Sequence, residues 1–406
     1  MKINPAETVN ELITGLTYII DIEEKKRNYH AWRVAILSAS FAKNILSLQK
    51  LKELFYASLL HDIGGVGLFR HIIHYLKSND KASRDILLSH PIIGAQLVSN
   101  IPRMATVAKL ILDHHEWING KGYPRAKLQK YIPWGSQVIR ISDSIDIALQ
   151  SSHHLKLKEL QNKMSLTVNK EYSKGLFSRT FTILKRNRFF YKISQRRNIP
   201  TLFEEIKNAV GYIYIPLRID AIGTTLEVVA QIIDMKHPYA SGHSLRVSRY
   251  AMAYALAMNL KHDEITHIKW AGLIHDIGKL SVPRRILDKP TALTQKEFQE
   301  VKKHALFGQK IMEMIPSLKE LTPVVTSHHE YFDGSGYPSG LKGKKIPWGA
   351  RLLATCDAFD AMTSNRPYRK PLTPEATCRE IEKNSGTQFD PEIVKQILPL
   401  FKNLGL

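Results

Sequence analysis

A His-Asp pair that occurs twice constrains this chain more than any other feature. His61-Asp62 lies in LLHDIGG and His275-Asp276 in LIHDIGK, 214 residues apart. The same offset carries His90 to His304, His114-His115 to His328-His329, Gly122-Tyr123-Pro124 to Gly336-Tyr337-Pro338 and Asp143 to Asp357. Upstream, His30 in HAWRV and His243 in HSLRV are 213 apart, so one residue was gained or lost between the first histidine and the His-Asp pair. Chance does not hold one offset across so many His and Asp positions. The chain is an internal duplication whose halves share a fold. Its 406 residues leave each copy enough length to bury a core of its own.

Both copies read as helical. Thr224–Met235 and His243–Leu260 place apolar residues at three- and four-residue spacing. Thr373–Asn384 opens with a capping Thr followed by Pro, a helix start. FDGSGYPSGLKGKKIPWG (332–349) carries too many Gly and Pro residues to continue a helix and predicts a loop. Strand-like alternation is scarce. The expected fold is all-α, two tandem helical domains, residues 1–198 and 205–406. The first extends that far because SKGLFSRTFTIL loosely echoes SGTQFDPEIVKQIL.

Composition excludes two classes. With 44% apolar and 23% charged residues the chain is too apolar to be disordered. Its longest apolar run, Tyr250 to Met258, is half of what a membrane span needs. Two cysteines cannot build a disulfide framework, and Met1–Pro5 is followed by no apolar leader run, so a cytoplasmic location is expected. The net charge of +21 favours polyanionic or phosphorylated partners. Leu155–Pro200 alone holds twelve Lys and Arg against two Glu. Its most basic part, Lys185–Arg197, mixes cations with aromatics, a pattern that can bind single-stranded nucleic acid. An amphipathic helix with a solvated basic face between the domains is the preferred reading, and nucleic acid is not an expected partner.

Each copy holds seven residues with metal-ligand chemistry. A single buried histidine is more often a hydrogen-bonded core residue than a ligand; the repeated spacing argues for ligands here. Imidazoles mixed with carboxylates suit iron, manganese, zinc or nickel, whereas magnesium and calcium take mostly oxygen. Seven candidates exceed what one ion needs, so two ions sharing a bridging carboxylate fit better. Paired ions can activate a water and clamp a phosphate, the equipment of phosphoester hydrolysis.

HDIGK, followed by HHEYFDGSGYP and DAFDAMTSNRPYR, resembles the HD-GYP subgroup of the HD-domain phosphohydrolases over about Thr224 to Phe401. The resemblance implies two tandem HD-type helical domains and hydrolysis of 3′,5′-cyclic dinucleotides. Cyclic di-GMP is the first expected substrate and 3′,3′-cyclic GMP–AMP the next, giving the linear dinucleotide and, further, mononucleotides. It implies one ion held by His243, His275, Asp276 and Asp357, and another by Asp276, His304, His328 and His329. Asp276 would be the bridge, and iron or manganese would come ahead of zinc or nickel. Lys279, at i+4 from His275, would face the site and stabilise or protonate the leaving oxygen. Arg366 and Arg369 match positions that hold phosphate and guanine groups. Tyr337 and Gly336 would shape the lip of the substrate site, and Asp333 would order the loop. A non-catalytic cyclic dinucleotide receptor and a general nucleotide phosphohydrolase are the alternatives, and a homodimer is an open outcome.

There are departures. Members that hold three metals carry a glutamate four residues before the first histidine, where this chain has Tyr239. A two-ion centre is therefore expected. The first copy keeps a full candidate metal set in His30, His61, Asp62, His90, His114, His115 and Asp143. It has Gly65 where the second has Lys279, Asn119 for Asp333, and Ser152 and Leu155 for Arg366 and Arg369. A regulatory or structural role is expected for it, with a second active site on another phosphoester as the alternative.

Overall fold

The structure is a computed structural model and describes residues 3–20, 29–66, 81–152, 155–215, 220–236, 241–365 and 370–403. Among these residues every regular element is an α-helix or a 3-10 turn, and β pairing is confined to three isolated bridges. The fold is all-α. Contacts divide the chain into two compact units, Met1–Ala221 and Ile222–Leu406. Among the described residues no helix is long and apolar enough to cross a membrane.

The elements follow the sequence pattern closely in the second unit. Helices span Ala221–Met235 and His243–Ala257. The helix Pro374–Lys383 starts where the Thr-Pro signal predicts it, with Thr373 Oγ1 accepting from the Ala376 amide at 3.2 Å. Of the Gly-rich segment, 332–347 is turn and coil around a short 3-10 turn, Gly343–Lys345, and Trp348-Gly349 open the next helix.

In each unit the helix that begins with the first histidine lies at the centre. His30–Ala42 is buried over all but one residue, and Val34, Ala35, Ile36, Leu37 and Phe41 are fully sequestered. It packs against Leu48–Leu60 and Trp134–Ser151, as His243–Ala257 packs against His262–Ile274 and Trp348–Thr363. Truncating Ile36, Leu37 or Phe41 to Ala costs about 2–5 kcal/mol. The core therefore holds the histidines on rigid supports.

The duplication runs further than the histidines. Isolated bridges Val168–Tyr172 and Ser385–Phe389 close matching turns before a matching helix of each copy, Lys174–Lys185 and Pro391–Asn403. The Gly-rich loop hangs on that turn in both. The Asn119 amide donates to Lys170 O at 3.2 Å, and the Asp333 amide to Thr387 O at 2.8 Å.

Two features differ from the sequence expectations. The sequence places a junction at 199–204, but the helix Ile199–Val210 packs on His30–Ala42 and Leu48–Leu60, with Phe203 stacked on Trp32 at 4.1 Å. Contacts put the division at Ala221. The basic stretch is not one amphipathic helix. Asn187 and Arg188 take left-handed conformations, φ 48° and 56°, which break it into short turns and the helix Phe189–Ser194. Its cations are exposed, and Ile193 is its buried anchor.

Candidate metal centre

Helix ends position the histidines. The last carbonyls of a helix lack an intrahelical N–H partner, and the residue just past the end can use them. His275 follows the helix His262–Ile274, and its Nδ1 bonds Gly272 O at 2.8 Å. His328 follows Thr322–Ser327 and bonds Val325 O at 2.7 Å. His304, inside Gln295–Met312, bonds Val301 O at 2.7 Å. Each bond uses Nδ1 as donor, which leaves Nε2 with a lone pair aimed inward. The first unit repeats this at His61 with Ser58 O (2.8 Å), His90 with Leu87 O (2.7 Å) and His114 with Ile111 O (2.6 Å). Pro91 helps there, because it has no N–H to offer Leu87 O, its i−4 carbonyl.

The first histidine of each set is oriented by a carboxylate instead. His243 Nδ1 meets Asp360 Oδ2 at 2.7 Å, and Arg246 Nε donates to Asp360 Oδ1 at 2.6 Å. His30 meets Asp146 Oδ2 at 2.6 Å, and Arg33 pairs with the same carboxylate. Sequence reasoning missed all four residues. Their signal was present, since Asp146 and Asp360 keep the 214 offset and Arg33 and Arg246 the 213 offset.

One aspartate faces both groups of imidazoles. Asp276 Oδ2 lies 3.4 Å from His275 Nε2 and 3.6 Å from His243 Nε2. Its Oδ1 lies 3.6 Å from His304 Nε2 and 3.7 Å from His328 Nε2. Asp357 Oδ1 is 3.2 Å from His243 Nε2. Ligand-type atoms of Asp276, His304, His328 and His329 lie within 4.8 Å of one another, as do those of His243, His275 and Asp276. In the first unit Asp62 Oδ2 faces His30 and His61 at 3.3 and 3.5 Å, and its Oδ1 faces His90 and His114 at 3.4 and 3.7 Å.

These donors fit metal ions. Nε2 of His243, His275, His304 and His328 and Oδ1 of Asp276 are buried without a hydrogen-bond partner. Five such orphans in one cluster would cost about 1–3 kcal/mol each if nothing bound them. The electrostatics agree. Burial, helped by Lys279 and His328, pushes His304 down to about 3, so it stays a neutral donor. Burial and the neighbouring imidazoles also lower His329. Asp276 is held well below the usual carboxylate range because Lys279, His275 and His243 outweigh its burial. His243 goes the other way: burial lowers it, but Asp276, Asp357 and Asp360 prevail and raise it well above 6.5.

The glycine of the HDIGK motif is a packing requirement. A Cβ on Gly278 would lie 1.9 Å from His304 O, and one on Gly64 would lie 2.1 Å from His90 O. Only glycine lets the His-Asp turn approach the third histidine's helix this closely. Lys279 is not on an α-helix with His275. The helix ends at Ile274 and Asp276 starts a 3-10 turn, Ile277–Ser281, whose Lys279 Nζ pairs with Asp276 Oδ2.

In the Gly-rich loop, Tyr337 packs on His329 with ring centroids 4.9 Å apart. A Cβ on Gly336 would lie 2.1 Å from the Tyr331 amide, which makes its role close packing of the loop. Asp333 Oδ1 accepts from the Ser335 amide and hydroxyl at 2.8 and 2.7 Å and so orders the loop. Glu330, also missed from sequence, is buried and accepts from the Ser339 and Leu341 amides at 2.7 and 3.1 Å. Arg366, Arg369 and Tyr239 lie outside the described residues. Beside Lys279 a cavity of about 840 Å³ opens between Ile286, Leu293, Val301 and the ring of Phe298.

A helical fold that sets one aspartate between two groups of imidazoles, written twice in one chain, has the donor set of a metal-site protein. The HD domain family profile matches residues 16–168 and again 227–393. The chain belongs to the HD-domain family, and its second unit carries the motifs of the HD-GYP subgroup.

Among curated relatives, the 3′3′-cGAMP-specific phosphodiesterase 3 of Vibrio cholerae is 28% identical over 79% of this chain and 68% of its own length. The 3′3′-cGAMP-specific phosphodiesterase 1 of that species is 27% identical over 84% and 79%. A cyclic di-GMP phosphodiesterase of Thermotoga maritima is 37% identical over 46% of this chain and about half of its own length (51%). The crystal structure of a V. cholerae cyclic GMP-AMP specific phosphodiesterase superposes with a TM-score of 0.64 over 98% of both chains at 22% identity, a likeness of fold.

Proposed function

We propose that the second unit is a metal-dependent phosphodiesterase that opens a 3′,5′-cyclic dinucleotide to the linear dinucleotide. The observation that carries this reading is Asp276, buried between two pairs of imidazoles and paired with Lys279 at the edge of a cavity. His243, His275, Asp276 and Asp357 would hold one divalent ion, and Asp276, His304, His328 and His329 the other. Bound there, two ions supply Lewis-acid stabilisation of the phosphoryl oxygens and a water nucleophile of lowered pKa.

The chain's own residues do the rest. Lys279 Nζ, which pairs with Asp276 Oδ2 beside the cavity, is the group that would donate a proton or a charge-assisted hydrogen bond to the leaving 3′-oxygen. Phe298, about two-fifths exposed on the cavity wall, offers a face on which a nucleobase can stack. Arg366 and Arg369 would hold phosphate and guanine. Tyr239 in place of the third-metal glutamate favours a single cleavage.

The two relatives named for 3′3′-cGAMP align along most of this chain, whereas the Thermotoga relative named for cyclic di-GMP matches about half. This puts cyclic GMP–AMP first among substrates to be tried, ahead of the cyclic di-GMP that motifs alone favour. The test offers both in equal amounts to protein loaded anaerobically with Fe²⁺ and, separately, with Mn²⁺. Preferential loss of one with its linear product, abolished in His275→Ala and reduced in Lys279→Ala, is expected. If neither is consumed by metal-loaded protein, the reading fails. Retained binding would then leave a receptor, and hydrolysis of simple nucleotides a general phosphohydrolase.

A further inference from the structure

The two centres differ at a residue the ligand motifs do not include. Arg140 sits one turn before Asp143 on Trp134–Ser151, where the 214 offset puts Ala354 in the second unit. Arg140 Nε and Nη2 both donate to Glu171 Oε2, at 2.9 and 2.6 Å. The turn closed by Val168–Tyr172 matches that closed by Ser385–Phe389, so Glu171 answers to Gln388. The cation and its anchor therefore occur together in the first unit and are both replaced in the second.

Held by Glu171, the guanidinium aims Nη1 at the centre. Nη1 donates to Asp143 Oδ2 at 3.2 Å and lies 3.5 Å from His115 Nδ1. These two residues belong to the two different ligand groups of the first unit, His30 with His61 and Asp143, and Asp62 with His90, His114 and His115. The other oxygen of Asp143 stands 3.8 Å from His30 Nε2, against 3.2 Å for Asp357 and His243. The Arg140 side chain is only 14% exposed, so water screens its charge weakly.

We propose that the first unit is a second two-ion metal centre whose affinity Arg140 holds below that of the second unit. The imidazoles are presented through the same Nδ1 bonds, and Asp62 Oδ1 and His115 Nε2 are buried without partners, as expected of a site built for ions. The fixed cation competes for Asp143 and repels the ions. Changes to residues that touch metal ligands shift affinity by about 10- to 100-fold. The first centre thus loads only at higher metal concentration than the second. This inference concerns ion binding and does not rest on the substrate proposed above.

The test titrates the metal-stripped full chain with Mn²⁺ and reads free hexaaqua Mn²⁺ by electron paramagnetic resonance. Two classes of site are expected, the weaker lost in His61→Ala and the tighter in His275→Ala. Arg140→Ala/Glu171→Gln, which copies the second unit's pair, should tighten the weaker class by about 10- to 100-fold and leave the tighter one alone. Ala354→Arg/Gln388→Glu should weaken the tighter class. If no class disappears in His61→Ala, or a folded Arg140→Ala/Glu171→Gln protein leaves the weaker class unchanged, the proposal is overturned. Should that variant not fold, Ala354→Arg/Gln388→Glu decides, and an unchanged second centre overturns it.

Discussion

Asp360 Oδ2 lies 2.7 Å from His243 Nδ1, and Asp146 Oδ2 lies 2.6 Å from His30 Nδ1. Each histidine opens a helix and has no preceding turn to steer its ring, so a carboxylate one helix away does it. Arg246 in turn holds Asp360. This makes Asp360 a positioning residue for the ions. Asp360→Asn should lower metal affinity at the second centre by about 10- to 100-fold. Activity should return at high Mn²⁺. Loss of activity with unchanged metal content, by mass spectrometry of dialysed protein, would contradict it.

Lys279 should act on the leaving group and not on ion retention. Lys279→Ala is expected to lower kcat by about 10²- to 10⁴-fold, the range of general acid catalysis. Bound metal should stay the same or rise, because the lysine's pairing with Asp276 is lost. A matching fall in metal content would instead make Lys279 a structural partner of Asp276.

The pH dependence has a definite sign. In metal-free protein His243 is raised well above 6.5 by Asp276, Asp357 and Asp360 against its burial. Its proton stabilises the metal-free fold fully below about 6.5, and that contribution is lost as pH rises through the folded value. Ion binding must displace the same proton, so Mn²⁺ affinity should climb with pH over that interval. Proton release, measured by calorimetry in buffers of different ionisation enthalpy, should accompany binding at neutral pH. Affinity independent of pH between 6 and 8 would refute this.

On the acid side His304, lowered to about 3 mainly by burial, contributes to the loss in the second unit, and His329, also lowered by burial, adds to it. Folded protein keeps each neutral while unfolded chain binds a proton near 6.5. Stability should therefore fall as pH drops from about 6.5 toward 3. His114, lowered to about 4 mainly by burial, adds the same trend in the first unit. Unfolding midpoints measured over that range check the sign.

Gly278→Ala should remove ions and fold together, because a Cβ would lie 1.9 Å from the His304 carbonyl. Overpacking of this kind costs about 1–3 kcal/mol or more. Gly175→Ala is the control. A Cβ there meets nothing within 4 Å, and replacing a helical glycine should stabilise by about 0.5–1 kcal/mol. Unfolding midpoints and metal content of both variants give the comparison.

The all-helical fold, the duplication and the seven ligand-type residues per copy were legible because they rest on local period and on repeat spacing. Helix starts such as Thr373-Pro374 and the Gly-rich loop declare themselves within a few residues. Asp146, Asp360, Arg33, Arg246 and Glu330 kept the same offsets but belong to no ligand motif, so residue type alone did not mark them. Lys279 was expected at i+4 on a helix; the helix stops at Ile274 because the His-Asp turn tightens to let Gly278 meet His304 O.

What the sequence determined by itself was which side chains have metal-ligand chemistry and that they come in two sets. Only the tertiary structure decided how they act together. It put both oxygens of Asp276 between imidazoles from four helices, assigned Ile199–Val210 to the first unit, and pinned Arg140 between Glu171 and Asp143. Periodicity and spacing describe neighbours along one helix. An orienting carboxylate such as Asp360 or Asp146 depends on distances between residues 117 and 116 positions apart, which are set by core packing.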